Sequence, residues 1–278
     1  MTVLEVLQST TAYFKKHEVE SPRLNAEHLL AHVLSRKRIE LYLEFERALT
    51  EAELAPLREL VRRRGQGEPL QHLLGTVEFY GRLFLCDKRA LVPRPETEQL
   101  VELLKSRIPQ PASRIADVGT GGGVIALTLA SQFPDAKVVA ADISDDALAL
   151  AQENATRLGL HERIVFAKSD LLEGVDGTFD LIVANLPYVA TSDRATLSRE
   201  VMHDPEVALF GGERGDEIAR KLINVARNHL RPGGMLALEI GLGQSEDLAA
   251  LMAKKNYHDI ASIRDYGGVI RFLFGRYG

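Results

Sequence analysis

Four consecutive residues, Asn185-Leu186-Pro187-Tyr188, combine groups that could hold a planar nitrogen nucleophile. An amide nitrogen reacts poorly because its lone pair is delocalised into the carbonyl. A site can help by accepting both N–H hydrogens in a geometry that twists or pyramidalises the nitrogen. The Asn185 side-chain oxygen is one acceptor, and the backbone carbonyl of Leu186 is a second. Pro187 donates no N–H and stiffens the turn. Tyr188 supplies an aromatic wall for a planar amide or base. Asn and Pro also suit an ordinary turn. What favours chemistry is the position, at the end of the strand-like segment Phe179 to Ala184 and downstream of a glycine-rich turn.

That turn is Asp117-Val118-Gly119-Thr120-Gly121-Gly122-Gly123, which follows one strand-like segment and opens a helix-like one. Glycines there let the backbone approach a ligand and adopt positive φ, but the pattern alone could serve a dinucleotide. Asp117, two residues before the first glycine, is suited to orienting the methionine end of S-adenosyl-L-methionine. Asp142 ends the second strand pattern, where a carboxylate can accept both ribose hydroxyls. Asp170 ends the third, where it can accept adenine amino hydrogens while Leu171 covers the ring. All three carboxylates fall at C-terminal strand ends, where open α/β sheets bind ligands. The expected cofactor site is therefore Asp117, Gly119, Thr120, Gly121, Gly122, Gly123, Asp142, Asp170, Leu171 and Asn185. The transfer site is Asn185, Leu186, Pro187 and Tyr188. No general base is required, because surplus positive charge leaves with a proton after transfer.

Positioning these residues needs a rigid frame. Seven strand-like segments, RIADVG, KVVAADI, RIVFAKSD, FDLIVAN, GMLALEI, HDIASIRDY and VIRFLFGR, have four helical ones between them, with none between RIVFAKSD and FDLIVAN or between the last pair. Such alternation predicts a mostly parallel sheet covered on both faces. Only Gly267-Gly268 separates the last two strands, so they must form an antiparallel hairpin. Residues 1–74 read as helices only. Ser21-Pro22 has the pattern of an N-cap with proline at the first helical position, and Thr50 with Glu53 that of a capping box. Residues 75–92 read as a β-hairpin linker, and 93–278 as the catalytic domain. In Pro95-Glu96-Thr97, Glu96 or Thr97 is expected to start a helix through Leu104.

The 278 residues carry 45% hydrophobic and 26% charged side chains, an ordinary globular balance that leaves room for two domains. No apolar run reaches the ~18–20 residues of a membrane span. A single cysteine, Cys86, cannot form an internal disulfide or a cysteine-based metal site, and no metal is expected. A cytoplasmic monomer is the simplest reading. The net charge of -5 argues against direct nucleic-acid binding, which draws on Lys and Arg contacts to phosphates. The basic stretch Arg58 with Arg62-Arg63-Arg64 is expected to be the solvated face of a helix.

The sequence resembles the protein-(glutamine-N5) methyltransferases that modify peptide chain release factors, over nearly its whole length. The most specific stretches are Glu68-Pro69-Leu70-Gln71-His72-Leu73, Glu78-Phe79-Tyr80-Gly81 and Leu91-Val92-Pro93-Arg94-Pro95-Glu96-Thr97-Glu98. The loop from His203 to Gly212 resembles the one that closes the family's active site, and Arg264-Asp265-Tyr266 with Gly275-Arg276 its C-terminal hairpin. The resemblance implies an all-α bundle, a hairpin linker and an α/β, Rossmann-like, seven-stranded class I methyltransferase domain. It implies methylation of the glutamine in the Gly-Gly-Gln motif of class I release factors, with the bundle recognising the partner. The family's acceptor motif usually reads Asn-Pro-Pro-Tyr, and Leu186 departs from it. Leucine keeps the carbonyl and loses the rigidity. Asn-Leu-Pro-Tyr is also typical of adenine-N6 methyltransferases acting on ribosomal RNA, so an RNA or DNA adenine stands as the alternative acceptor. Relatives often carry an aromatic residue where this chain has Leu171.

Overall fold

The computed structural model describes residues 1–108 and 114–278, which fall into two compact units. The first comprises Met1–Thr76 and takes in Ser198–His203; the second comprises Val77–Leu197 and Asp204–Gly278.

The first unit is built on α1 (Val3–Lys16), α2 (Pro22–Leu34), α3 (Glu51–Gly65) and the short α4 (Leu70–Leu74). Its core is apolar, with Val3, Leu7, Phe14, Leu29 and Leu30 removed from solvent. Glu53 reaches back to the Thr50 amide at 2.8 Å and its hydroxyl at 2.9 Å, closing the capping box at the start of α3. Ser21 behaves otherwise. It precedes Pro22, but its backbone is left-handed at φ 45° and its hydroxyl caps nothing. Side-chain capping needs an extended backbone at that residue. The turn is held instead by the Asn25 amide, which donates to the carbonyls of Glu20 and Ser21. The basic stretch also divides. Arg58, Arg62 and Arg63 pair at the surface with Glu51, Glu59 and Glu68. Arg64 is buried and donates to Asn25 Oδ1, the Glu68 carbonyl and Glu200 Oε2. A charge at a helix position facing the core is tolerated only when its donors are satisfied in this way.

The second unit begins with the hairpin of β1 (Thr76–Phe79) and β2 (Arg82–Leu85), followed by α5 (Pro95–Arg107). Helix α5 starts at the proline, with Arg94 outside it, so Glu96 and Thr97 lie within its first turn. The remaining elements are β3 (Arg114–Val118), α6 (Val124–Gln132), β4 (Lys137–Asp142), α7 (Asp145–Arg157), β5 (Ile164–Lys168) and β6 (Phe179–Asn185). They continue with β7 (Val189–Ala190), α8 (Glu206–Leu209), β8 (Phe210–Gly212), α9 (Glu217–Ala226), β9 (Leu230–Glu239), α10 (Ser245–Lys254), β10 (Tyr257–Arg264) and β11 (Ile270–Tyr277).

Seven strands form one sheet in the order β10-β11-β9-β6-β3-β4-β5. The pairs among β9, β6, β3, β4 and β5 are parallel, while β11 runs antiparallel to both β9 and β10. Every residue of β6 from Phe179 to Ala184 is buried, as a strand covered on both faces must be. Two apolar clusters fill the two faces, one around Leu104, Leu127 and Val183, the other around Ile182, Leu222 and Leu248. The order reverses between β3 and β6, and that crevice receives the C-terminal ends of the strands carrying Asp117 and Asn185. Among the described residues no helix is long and apolar enough to cross a membrane.

Candidate active site

A cavity of about 330 Å3 opens at these strand ends. Gly119, Thr120, Gly121 and Gly122 form one side, Asp142, Asp170 and Leu171 another, and Asn185, Leu186 and Pro187 a third. Three further expected residues sit beside it and not on its wall: Asp117, Gly123 and Tyr188.

Asp117 is fully buried beneath the glycine turn. Its Oδ2 accepts from the Thr120 hydroxyl at 2.7 Å and the Ala126 amide at 3.0 Å, bracing the turn against the start of α6. Its Oδ1 is buried with no hydrogen-bond partner among the described residues. Burial, reinforced by the nearby Asp142 charge, pushes its carboxyl up to about 7. A cationic ligand group near this oxygen would reverse that shift, which suits the ammonium of S-adenosylmethionine. Gly123 has a packing role. It has φ +83°, and a Cβ there would lie 3.0 Å from Leu127 and 3.1 Å from Ala151, between α6 and α7. Gly119 is constrained by Leu186: φ is +72°, and a Cβ would stand 2.9 Å from Cδ2 of that residue. The glycine turn and the segment Asn185 to Tyr188 thus approach closely, through a leucine that is 6% exposed.

Asp142 accepts the Gly121 amide on Oδ2 and the Ser144 amide on Oδ1, each at 2.9 Å. Burial raises its pKa, and these hydrogen bonds oppose the rise. Each oxygen keeps a lone pair for a ribose hydroxyl. Asp170 is exposed at the rim. Leu171 holds φ +56°, with the Ser169 hydroxyl 3.1 Å from its carbonyl and 2.8 Å from that of Glu173. The residues present fit S-adenosylmethionine: a glycine cradle, an unpaired buried acceptor next to it, and carboxylates at two strand ends.

Asn185 ends β6 beside Glu239, its register partner at the end of β9. Its Nδ2 donates to Thr97 Oγ1 at 3.0 Å, and the Thr97 hydroxyl lies 2.8 Å from Glu239 Oε2. Thr97 and Glu239 are each 3% exposed. Burial pushes the Glu239 carboxyl up to about 7, against the hydrogen bond from Thr97. Tyr188 packs near Arg271, whose guanidinium is 5.8 Å from the ring centre, and its carbonyl accepts from Gln244. Its phenol is raised in pKa by burial. Behind the acceptor segment, β7 pairs with β8. A Cβ on Gly211 would be 2.3 Å from the Pro187 carbonyl, and one on Gly215 2.4 Å from the Tyr188 carbonyl, so only glycine allows this close approach. Asp204 is buried and ties the two segments flanking the cavity, accepting the Val92 amide at 3.0 Å and Arg94 at 2.6 Å.

Residue type and spacing give no site role to Thr97, which they mark only as a helix start, or to Glu239, Asn154 or Asp204. Glu239 carried a signal, an acid closing an apolar strand, like Asp117 and Asp142. Asn154 carried none. It lies within α7, yet its amide accepts the Leu85 amide and donates to the carbonyls of Leu85 and Gly122, joining hairpin and glycine turn. Cys86 is buried, with its thiol pushed up to about 12, so it is no nucleophile. Among the described residues no cluster of His, Cys, Asp or Glu could hold a metal ion.

The sheet order, the antiparallel final hairpin and the ligand crevice define a class I methyltransferase, whose methyl donor is S-adenosylmethionine. The model of the Methyltransferase small domain matches residues 95–254, and that of the PrmC N-terminal domain matches 5–75. A solved ribosomal protein L11 methylase from Lactobacillus delbrueckii is 29% identical with a TM-score of 0.51, covering 66% of this chain and 81% of its own. Two curated proteins named release factor glutamine methyltransferase are similar over almost the full length. That of Chlorobaculum tepidum is 40% identical over 98% of this chain and 96% of its own. That of Geobacter sulfurreducens is 40% identical over 100% and 97%. The chain belongs to the release factor glutamine methyltransferase family.

Proposed function

We propose that this protein methylates the N5 amide nitrogen of the glutamine in the Gly-Gly-Gln motif of class I peptide chain release factors. The observation that carries the mechanism is that the glycine turn and the segment Asn185 to Pro187 border one cavity. A donor on the turn and an acceptor on the segment are then neighbours. S-adenosylmethionine, when bound, supplies a methyl group on a positively charged sulfur. Asp117 and Gly119 to Gly123 would hold its methionine end, Asp142 its ribose, and Asp170 with Leu171 its adenine. The Asn185 oxygen and the Leu186 carbonyl accept the two N–H hydrogens of the glutamine amide, turning its lone pair toward the methyl carbon. Pro187 and Tyr188 fix the turn and its aromatic side. Formation of the nitrogen–carbon bond would be matched by loss of the carbon–sulfur bond, whose electron pair would leave with the sulfur. The nitrogen then releases a proton to solvent. The residues supply positioning and electrostatic complementarity, with no base needed.

Residues 1–74 serve as the partner-recognition domain, 75–92 as the hairpin linker and 93–278 as the catalytic domain. Support for recognition comes from Ile39, Tyr42 and Leu43, which remain exposed on the helical unit. The protein works as a cytoplasmic monomer that does not itself bind nucleic acid. The test is incubation with labelled cofactor and purified release factor. Label that persists when the motif glutamine is replaced would refute the assignment. Asn185→Ala should abolish transfer and leave cofactor binding intact.

Leu186 favours a second reading, adenine-N6 methylation of RNA or DNA, because an adenine amino group offers the same two hydrogens. Methylated adenine appearing in total RNA or DNA only when the protein is present would establish it.

A further inference from the structure

A primary amide presents nearly the same shape after a half-turn, but its acceptor and donor exchange places. Asn185 can accept a substrate N–H only if its oxygen, and not its NH2, faces the cavity. Packing cannot make this choice; hydrogen-bond polarity can. We propose that Glu239, acting through Thr97, is the positioning residue that sets the orientation of the Asn185 amide. This rests on the reading of Asn185 as a substrate acceptor.

The polarity follows from counting protons. Ionised Glu239 only accepts. The single Thr97 hydroxyl proton therefore points to Glu239 Oε2, 2.8 Å away. With that proton committed, Thr97 Oγ1 can only accept from Asn185, 3.0 Å away. The NH2 of Asn185 must face Thr97, which leaves its oxygen free to accept from a ligand in the cavity that Asn185 and Thr97 both line. Solvent cannot substitute for these partners, since both Thr97 and Glu239 are buried. A neutral Glu239 can donate instead of accept. Thr97 can then donate to Asn185, whose amide turns and presents NH2 to the substrate NH2. Donor then faces donor, and the substrate amide is repelled.

The groups facing Glu239 are Thr97 and Glu96 on α5, Asn185 on β6, Arg271 on β11, and Tyr188. Glu96 opposes ionisation, while Arg271, Thr97 and Asn185 favour it. A substrate amide does not titrate near neutrality. Ionisation of Glu239 should therefore appear as an acid limb in the rate.

The experiment measures kcat and KM for cofactor and release factor, against pH, in the full-length protein. Wild-type transfer is measured first and tests the functional reading itself; variant-to-wild-type ratios test the inference. Glu239→Gln, of equal size and always neutral, should lower kcat about 10- to 100-fold, the loss of one oriented hydrogen bond in a transition state. It should also remove the acid limb and leave the cofactor KM within about threefold. Thr97→Val should lose activity likewise, and Thr97→Ser should restore it. Wild-type kcat in Glu239→Gln with the limb retained would overturn the proposal. So would Thr97→Ser being as slow as Thr97→Val, an outcome readable even if Glu239→Gln fails to fold.

Discussion

The contact between Gly119 and Leu186 gives a prediction whose size can be worked from geometry. Gly119→Ala places a side chain at φ +72°, where a Cβ costs ~1–2 kcal/mol. The new Cβ would also stand 2.9 Å from Leu186 Cδ2, well inside ordinary contact. Turning the leucine aside costs a further ~1 kcal/mol. The total, ~2–3 kcal/mol, must appear somewhere. If the turn keeps its shape, the protein loses that much stability. If the turn relaxes when empty, the strain returns on binding, and the cofactor binds ~30- to 150-fold more weakly. Denaturant unfolding and calorimetric titration with S-adenosylhomocysteine together measure the sum. Leu186→Ala should destabilise by itself, because it leaves a hole over the turn. In the double variant the clash is gone and the backbone strain is not. The double loss should then fall short of the two single losses by ~1 kcal/mol. Gly123→Ala is the control: its Cβ would press on Leu127 and Ala151, so it should destabilise without coupling to Leu186. Strict additivity for Gly119 and Leu186, or a combined loss below ~1 kcal/mol, would refute the contact.

Further outcomes follow from other residues. Glu239 holds its proton up to about 7, against an ordinary value of 4.5, so the folded state binds the proton more tightly between those limits. Stability should therefore fall as pH rises through that window. Glu239→Gln should gain up to ~3 kcal/mol over wild type above it, an advantage that vanishes below the window and is read by melting at several pH values. Arg64→Met leaves Asn25 and Glu200 without their donor and should cost ~3 kcal/mol in unfolding; a change below ~1 would show the network to be idle. Leu186→Pro should retain turnover within about tenfold, because the carbonyl survives; a larger loss would mean that the leucine side chain shapes the acceptor pocket. Leu43→Asp on the helical unit should raise KM for the release factor and leave cofactor affinity unchanged, measured by steady-state kinetics and calorimetry.

Much of this molecule was legible in one dimension because its signals are local. Strand–helix alternation from Arg114 onward, and the two-residue gap at Gly267-Gly268, required a parallel sheet with a final antiparallel hairpin. The glycine turn and Asn185 were legible because open sheets bind ligands at strand ends, and strand ends can be read from apolar runs. Capping at Thr50 was equally local, and it was right where Ser21 was not, because a left-handed turn fixed by Asn25 overrode the serine.

Tertiary structure decided what depends on distant partners. It sent Arg64 inward to meet Asn25 and Glu200, though its neighbours Arg62 and Arg63 stay outside. It put Asp117 beneath the turn as a brace, Gly123 between two helices and Gly119 against Leu186. It joined Thr97, Asn185 and Glu239, separated by 88 and 142 residues from Thr97, into one hydrogen-bonded chain. The sequence by itself placed Asn185 to Tyr188 at a strand end beyond a glycine turn. Which way Asn185 turns its oxygen is fixed only by the fold, because a primary amide is directional and its direction is set by whatever stands behind it.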